Sequence, residues 1–214
     1  MEANTTDDRP TLWRGERLVL ASKSRGRAEV LRRAGVLFDA VDSRLDERQV
    51  ATDASLPPGQ LAEKLAIAKA EAVSKLYSNR IVIGADQVLS FNDVILHKAE
   101  SIESAKRNLR ALRGKRHHLH SAMACVRDGE LLFSFVEQAR ISMRRFDEDS
   151  LDAYAAAMGE NLLRTVGGYE IEGLGANLIE QVEGDVFTVI GLPLLRLLKE
   201  LRRIGVIPGE SETP

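Results

Sequence analysis

Two long strand-like runs, His117–Val126 and Leu131–Met143, are joined by the dipeptide Asp128-Gly129. Asp-Gly is a strong hairpin signal, because a tight reversal needs residues that tolerate positive φ. An antiparallel hairpin of this length is the central piece of sheet around which the remaining segments must be arranged.

Those segments alternate between strand and helix patterns. Arg17–Ala21 is a short apolar run with the signature of a buried strand. Ser22 and Ser24 follow at once, and Ala28, Leu31 and Ala34 recur at helical spacing up to Gly35, a natural C-cap. Val36–Val41 reads as a second strand and ends in the acidic stretch Asp42–Glu47. Pro57, Pro58 and Gly59 open a helix with an apolar stripe at Leu61, Leu65, Ala68, Ala72 and Leu76. Glu63, Lys64, Lys69, Glu71 and Lys75 fall elsewhere around it. Arg80–Gly84 is another buried strand, ending at Ala85-Asp86-Gln87, and Val88–Phe91 and Val94–Leu96 flank a hairpin turn at Asn92-Asp93. Ser101 caps a helix through Leu112 that buries Ile102, Ala105, Leu109 and Leu112. A helix over Asp147–Met158, a glycine-rich stretch from Gly167 to Gly175, and a last amphipathic helix from Gly191-Leu192-Pro193 to Ile204 complete the chain. The interleaving predicts an α/β fold: a mixed sheet with flanking helices and a long central antiparallel hairpin. One domain spans 17–206, between a flexible leader (1–16) and a flexible tail (207–214).

The net charge of −2 removes any global basic field for duplex nucleic acid, so basic residues must act on phosphate locally. No apolar run approaches the roughly 20 residues that cross a bilayer, and the polar start, Met1 to Pro10, lacks a signal-peptide core. These features predict a soluble, cytoplasmic protein with no membrane partner. A single cysteine, Cys125, excludes an internal disulfide framework and lies in the apolar run Ala122–Val126, where it reads as a small buried hydrophobe.

Several residues could carry chemistry. The loop Ser22-Lys23-Ser24-Arg25-Gly26-Arg27 enters a helix N-terminus, where free N–H groups, hydroxyls and guanidinium groups attract phosphate. A serine-capped helix with solvated bases explains the same pattern equally well. There is no Walker-type Gly-Lys-Ser/Thr, which argues against a P-loop enzyme. Asp86 stands just beyond a buried strand, where α/β proteins place their sites, although an aspartate there also suits a turn. Glu47, Lys69 and Lys98 in isolation read as solvated charges. His118 and His120 share a strand face, but no third ligand stands at a telling distance from them.

Taken in order, these residues resemble the Maf-like family of nucleoside triphosphate pyrophosphatases, from about Leu18 to Gly205. Leu20-Ala21-Ser22-Lys23-Ser24 resembles the family's opening phosphate loop, with Arg27 as its second arginine; Leu45-Asp46-Glu47 resembles its acidic segment. Leu65–Ala70 resembles its lysine helix, Gly84-Ala85-Asp86-Gln87-Val88 its catalytic-aspartate motif, and Leu96-His97-Lys98 the lysine beyond it. Arg113-Gly114-Lys115-Arg116-His117 with Ser121 resembles the start of the central hairpin. Gly168–Gly175, Glu183-Gly184-Asp185 and Val189–Leu194 complete the set. The resemblance implies an ITPase-like fold with two lobes around a cleft. It also implies cleavage of a nucleoside triphosphate between the α- and β-phosphates.

By the same resemblance, Asp86 is the catalytic base, and Ser22, Arg27, Lys69, Lys98, Gln87 and Glu172 bind substrate. Glu47 and Asp86 hold a divalent cation, Mg²⁺ or Mn²⁺, and a homodimer is compatible with the family. The chain departs from the pattern at Arg25-Gly26, where the family has proline and arginine, and at Ala99, where it has proline. Gln87 replaces a threonine and Glu172 a frequent glutamine, a pair that resembles the branch preferring 7-methyl-GTP over dTTP and UTP. The competing reading is a non-catalytic nucleotide-sensing regulator linked to cell division. Its support is the broken arginine pair; retention of Ser22, Glu47, Lys69, Asp86 and Lys98 argues against it.

Overall fold

A computed structural model describes residues 13, 15–50, 56–92 and 94–208. Its strands and helices, in chain order, are β1 (Leu18–Ala21), α1 (Arg25–Arg33), β2 (Phe38–Val41), α2 (Glu47–Val50), α3 (Pro58–Ser74), β3 (Ile81–Phe91), β4 (Val94–Leu96), α4 (Ile102–Leu112), β5 (Arg116–Arg127), β6 (Glu130–Met143), α5 (Glu148–Met158), β7 (Ile179–Glu183), α6 (Val186–Ile190) and α7 (Leu194–Arg203). The glycine-rich stretch between α5 and β7 is a series of 3₁₀ turns.

The strands form one mixed sheet in the order β2-β1-β3-β5-β6-β7, with β4 also paired to β3. β1 runs parallel to both β2 and β3, while β3-β5, β5-β6 and β6-β7 are antiparallel. The expected α/β architecture and its central hairpin, β5–β6, are present, turning at Asp128 (φ 50°) and Gly129 (φ 81°).

Strand alternation divides the core between the two faces of the sheet. Val19, Ala21, Val82, Val88, Ala122, Ala124 and Val126 point toward α3. The other face carries two apolar clusters. Leu20, Ile83, Met123 and Cys125 pack with α1 and α7, and Leu89, Leu119 and Ile141 pack with α4 and α5. Cys125 is fully buried, and burial pushes its thiol up to about 12, so it behaves as the expected hydrophobe.

Three local expectations need correction. The predicted stripe of α3 holds only in its first half: Leu61 and Leu65 are buried as expected, but the buried side continues through Ala62, Ala66, Lys69, Ala70 and Val73 rather than Ala68 and Ala72, and Leu76 lies beyond the helix end at 73% exposure. The small alanines let the helix approach the sheet closely. β3 does not end at Gly84 but continues through Asp86 to Phe91, because β5 pairs with it as far as Ser90. Ile102 is 37% exposed rather than buried.

Packing extends to residues on either side of 17–206. Trp13 and Ile207 are both buried in the cluster under α7, and a Cβ on Gly15 would lie 2.7 Å from Ile207 Cγ2. The rest of the predicted leader and tail, 1–12, 14 and 209–214, lies outside the described residues, as does Asp93 of the predicted turn. Among the described residues, no helix is long and apolar enough to cross a membrane.

Candidate active site

The site forms where the sheet is locally incomplete. On one side of β3, β1 pairs with Val82–Gly84 and β4 pairs with Leu89–Phe91. The edge from Ala85 to Val88 between them has no strand partner among the described residues. Backbone acceptors at such a gap must be satisfied by side chains. Arg27, from the first turn of α1, supplies one donor: its Nη1 donates to the Ala85 carbonyl at 2.7 Å, and its Nε donates to the Gly191 carbonyl at 2.8 Å.

The loop between β1 and α1 is folded around the same guanidinium. Ser22 Oγ accepts from Arg27 Nη1 and from the Ser24 backbone N–H, each at 3.2 Å. Ser24 caps α1 by accepting from the Arg27 N–H at 3.3 Å. Both readings of the loop therefore hold together: the serine caps the helix, and the cap fixes the arginine at the gap. Arg25 is exposed and makes none of these contacts.

Asp86 projects from β3 toward α3. Gly84, two residues earlier, explains how the two elements come so close: a Cβ there would lie 2.0 Å from the Ala66 carbonyl oxygen and 2.8 Å from the Ala70 nitrogen. Only glycine permits this approach. It brings Lys69 Nζ to 2.5 Å from Asp86 Oδ1, with both side chains about one-tenth exposed, at 11% and 10%. The same ammonium lies 2.7 Å from Glu47 Oε1 at the start of α2, a side chain that stays 54% exposed. Burial pushes the Asp86 carboxyl above its ordinary range, opposed by the attraction of Lys69 and Arg27. Burial likewise lowers Arg27, against the pull of Asp86 and Glu47.

Lys98, just beyond β4, reaches the mouth of the site. It keeps an exposed surface, yet partial withdrawal from water, followed by repulsion from Arg27, lowers its ammonium. Gln87 points to the opposite face from Asp86. Its Nε2 lies within hydrogen-bond distance of Ser121 Oγ (2.9 Å), the Thr188 carbonyl (3.0 Å) and the Val189 carbonyl (3.1 Å). Ser121 Oγ also donates to the Thr188 carbonyl at 2.7 Å. The amide is thus tied to α6, and only its carbonyl oxygen remains for a ligand. Glu172 is exposed on the loop between α5 and β7. Its Oε2 lies 3.9 Å from the point where a Cβ on Gly26 would stand, so it faces the start of α1.

The fold thus gathers Ser22, Arg27, Glu47, Lys69, Asp86 and Lys98 around one gap, with Gln87 behind it on the opposite face of the sheet and Glu172 facing the start of α1. Sequence reasoning missed Thr188 and Gly191, whose carbonyls anchor Gln87 and Arg27. A lone threonine in the apolar run Val186–Ile190, followed by a glycine (φ 96°), was the available signal. His118 and His120 share the α3 face, and among the described residues no group of three or more His, Cys, Asp and Glu is placed to hold a metal.

A family model described as Maf-like protein matches residues 17–204. A protein of Nitrobacter hamburgensis named nucleoside triphosphate pyrophosphatase is 43% identical over 92% of this chain and 98% of its own. One of the same name from Rhodopseudomonas palustris is 46% identical, over 90% of this chain and 96% of its own. A Rhizobium etli protein named 7-methyl-GTP pyrophosphatase is 42% identical, over 90% and 98%. With the family model spanning nearly all of the folded body, the chain belongs to the Maf family.

Proposed function

We infer that the protein is a nucleoside triphosphate pyrophosphatase acting in the cytoplasm, cleaving between the α- and β-phosphates with 7-methyl-GTP preferred over dTTP and UTP. The observation that carries the reading is the Asp86–Lys69–Glu47 chain opposite Arg27 at an open strand edge. A purely structural role would hardly keep so much charge in a half-closed gap, since burying ions costs several kcal/mol each unless a ligand or partner compensates. Arg27, Lys69 and Lys98 supply a local positive clamp for a polyphosphate, despite the acidic total.

Glu47 and Asp86 are hard oxygen donors that share one ammonium, so they lie close enough to serve a single ion. Two carboxylates with no third His, Cys, Asp or Glu ligand among the described residues suit Mg²⁺ or Mn²⁺, which take their remaining ligands from phosphate and water. When bound, such an ion neutralises charge developing on the phosphate oxygens. Asp86 accepts the proton of the attacking water as its oxygen bonds to the α-phosphorus, and the bond to the bridging oxygen breaks to release pyrophosphate. Its raised proton affinity suits that role near neutral pH. Glu172 accepts from the ring and exocyclic N–H groups of guanine and opposes the charge of the methylated ring. Gln87 helps from behind by fixing α6.

Pyrophosphate release from 7-methyl-GTP, dTTP and UTP with Mg²⁺ or Mn²⁺ tests the reading. The highest kcat/KM is expected for 7-methyl-GTP. Faster turnover of dTTP or UTP overturns the base assignment, and no release from any nucleotide leaves the non-catalytic regulator.

A further inference from the structure

The loop that presents Glu172 is held from beneath by polar contacts that take no part in the chemistry above. His117, at the start of β5, is 1% exposed, and its Nε2 lies 2.6 Å from the hydroxyl of Tyr169, itself 5% exposed. The two rings meet edge to face, with centroids 5.6 Å apart. One residue earlier, the Gly168 carbonyl accepts from the Tyr154 hydroxyl of α5 at 3.0 Å. Gly167 (φ 80°) and Gly168 (φ 74°) turn the chain sharply into this anchor, and a Cβ on Gly167 would lie 2.8 Å from Leu89 Cδ1. Beyond it the chain closes on itself: Gly173 N–H donates to the Glu170 carbonyl at 3.2 Å, and a Cβ on Gly175 would lie 2.6 Å from Glu170 N and O. Glu172 sits at the tip of that closed turn, three residues from Tyr169.

We propose that His117 and Tyr169 form a latch that positions Glu172 for base recognition. Leu89 and His117 belong to β3 and β5, the strands that also carry Asp86, Gln87 and Ser121. The latch therefore fixes the recognition turn to the same rigid sheet as the catalytic carboxylate. A glutamate on an unanchored turn would lose rotational and backbone freedom on each binding event, which weakens discrimination between bases. The inference rests on Glu172 reading the base, as proposed above.

Three variants separate the possibilities. Tyr169→Phe removes only the hydroxyl and keeps the ring in its packing; His117→Gln keeps an amide nitrogen near the position of Nε2; Glu172→Gln tests the reader itself. The measured quantity is the ratio of kcat/KM for 7-methyl-GTP to that for dTTP. Tyr169→Phe is expected to lower the ratio roughly three- to tenfold, the size of one lost hydrogen bond, through KM more than kcat. His117→Gln, which keeps a hydrogen-bonding group for the tyrosine hydroxyl, should lower it less, and Tyr169→Phe added to Glu172→Gln should lower it no further. Amide hydrogen exchange at Glu170–Leu174 in the ligand-free protein should quicken in Tyr169→Phe. A Tyr169→Phe protein with unchanged ratio and unchanged exchange, while Glu172→Gln lowers the ratio, overturns the latch alone. An unchanged ratio in Glu172→Gln overturns the reading of Glu172 and the latch with it.

Discussion

The sheet buries polar side chains on both faces within a few residues of one another, and it does so on opposite terms. Toward α3, Asp86 and Lys69 are charged, tightly paired and continued to the surface by Glu47. On the other face, His117 and Tyr169 are neutral: burial lowers His117 to about 4 and pushes the Tyr169 hydroxyl well above its usual range. Both clusters are enclosed by the same strands, so burial alone does not distinguish them. The charged cluster opens to a gap in the strand edge and can exchange its internal partners for a ligand. The neutral one is sealed under α4 and α5 and can only hold shape. Charge is kept where a charged substrate will meet it, and neutral hydrogen bonds where nothing will.

The largest expected effect comes from removing the charge and keeping the geometry. Asp86→Asn preserves an oxygen acceptor for Lys69 but cannot take a proton from water. Turnover should fall about 10²–10⁴-fold, the usual worth of general-base assistance. The melting temperature should fall, because Lys69 keeps only the half-exposed Glu47 as a charged partner, while the protein stays folded at the assay temperature. Near-normal turnover would remove Asp86 from the chemistry and erase the functional half of the contrast.

How much of this was legible in the sequence follows the same division. The central hairpin, the capped helix after Ser101 and the strand at Leu18–Ala21 were readable because each rests on local rules: a turn dipeptide, an N-cap and an apolar run. Lys69 was not. Among alanines on a helix it reads as a solvated charge, and its burial depends on Gly84, fifteen residues away, letting α3 touch β3. Asp86 looked like a loop residue for a related reason, because strand β3 outlasts β1 and only the distant hairpin partner shows it. The ordered resemblance to a family put both residues forward as site candidates where local reasoning left them ambiguous, and the fold pairs them. It could not show that Gln87 donates inward to α6, since that depends on tertiary contacts more than 100 residues apart in the chain.

On the neutral side the expected effect is on stability and depends on pH. His117 has its proton affinity depressed from 6.5 to about 4 in the folded state, so the unfolded chain binds more protons between those values. Its contribution is fully present above about pH 6.5 and is lost as pH falls toward 4. Over that window the loss amounts to about 3 kcal/mol. His117→Gln does not titrate there, while His118 and His120 remain in both proteins and cancel in the difference. Urea unfolding from pH 7 to pH 4.5 should therefore give a flatter stability profile for the variant. Parallel profiles would mean that His117 is charged or exposed, and the neutral half of the comparison would fail.

The smallest effect is expected where charge is neither buried nor offered to a ligand. Glu148, in the first turn of α5, lies 2.9 Å from Arg110 Nε and 2.8 Å from Arg113 Nη1, a pairing as close as Lys69 with Glu47. Its side chain is 49% exposed and those of its partners 36% and 31%, so water replaces most of what the ion pairs provide. Glu148→Ala should leave nucleotide turnover unchanged and produce no resolvable shift in melting temperature at 0.15 M salt. The same substitution at Glu47, equally close to its partner and also half exposed, should instead cost activity, because there the partner ammonium contacts Asp86. If both variants behave alike, distance rather than connection to the gap governs these pairs, and the distinction between the charged site and the ordinary surface disappears.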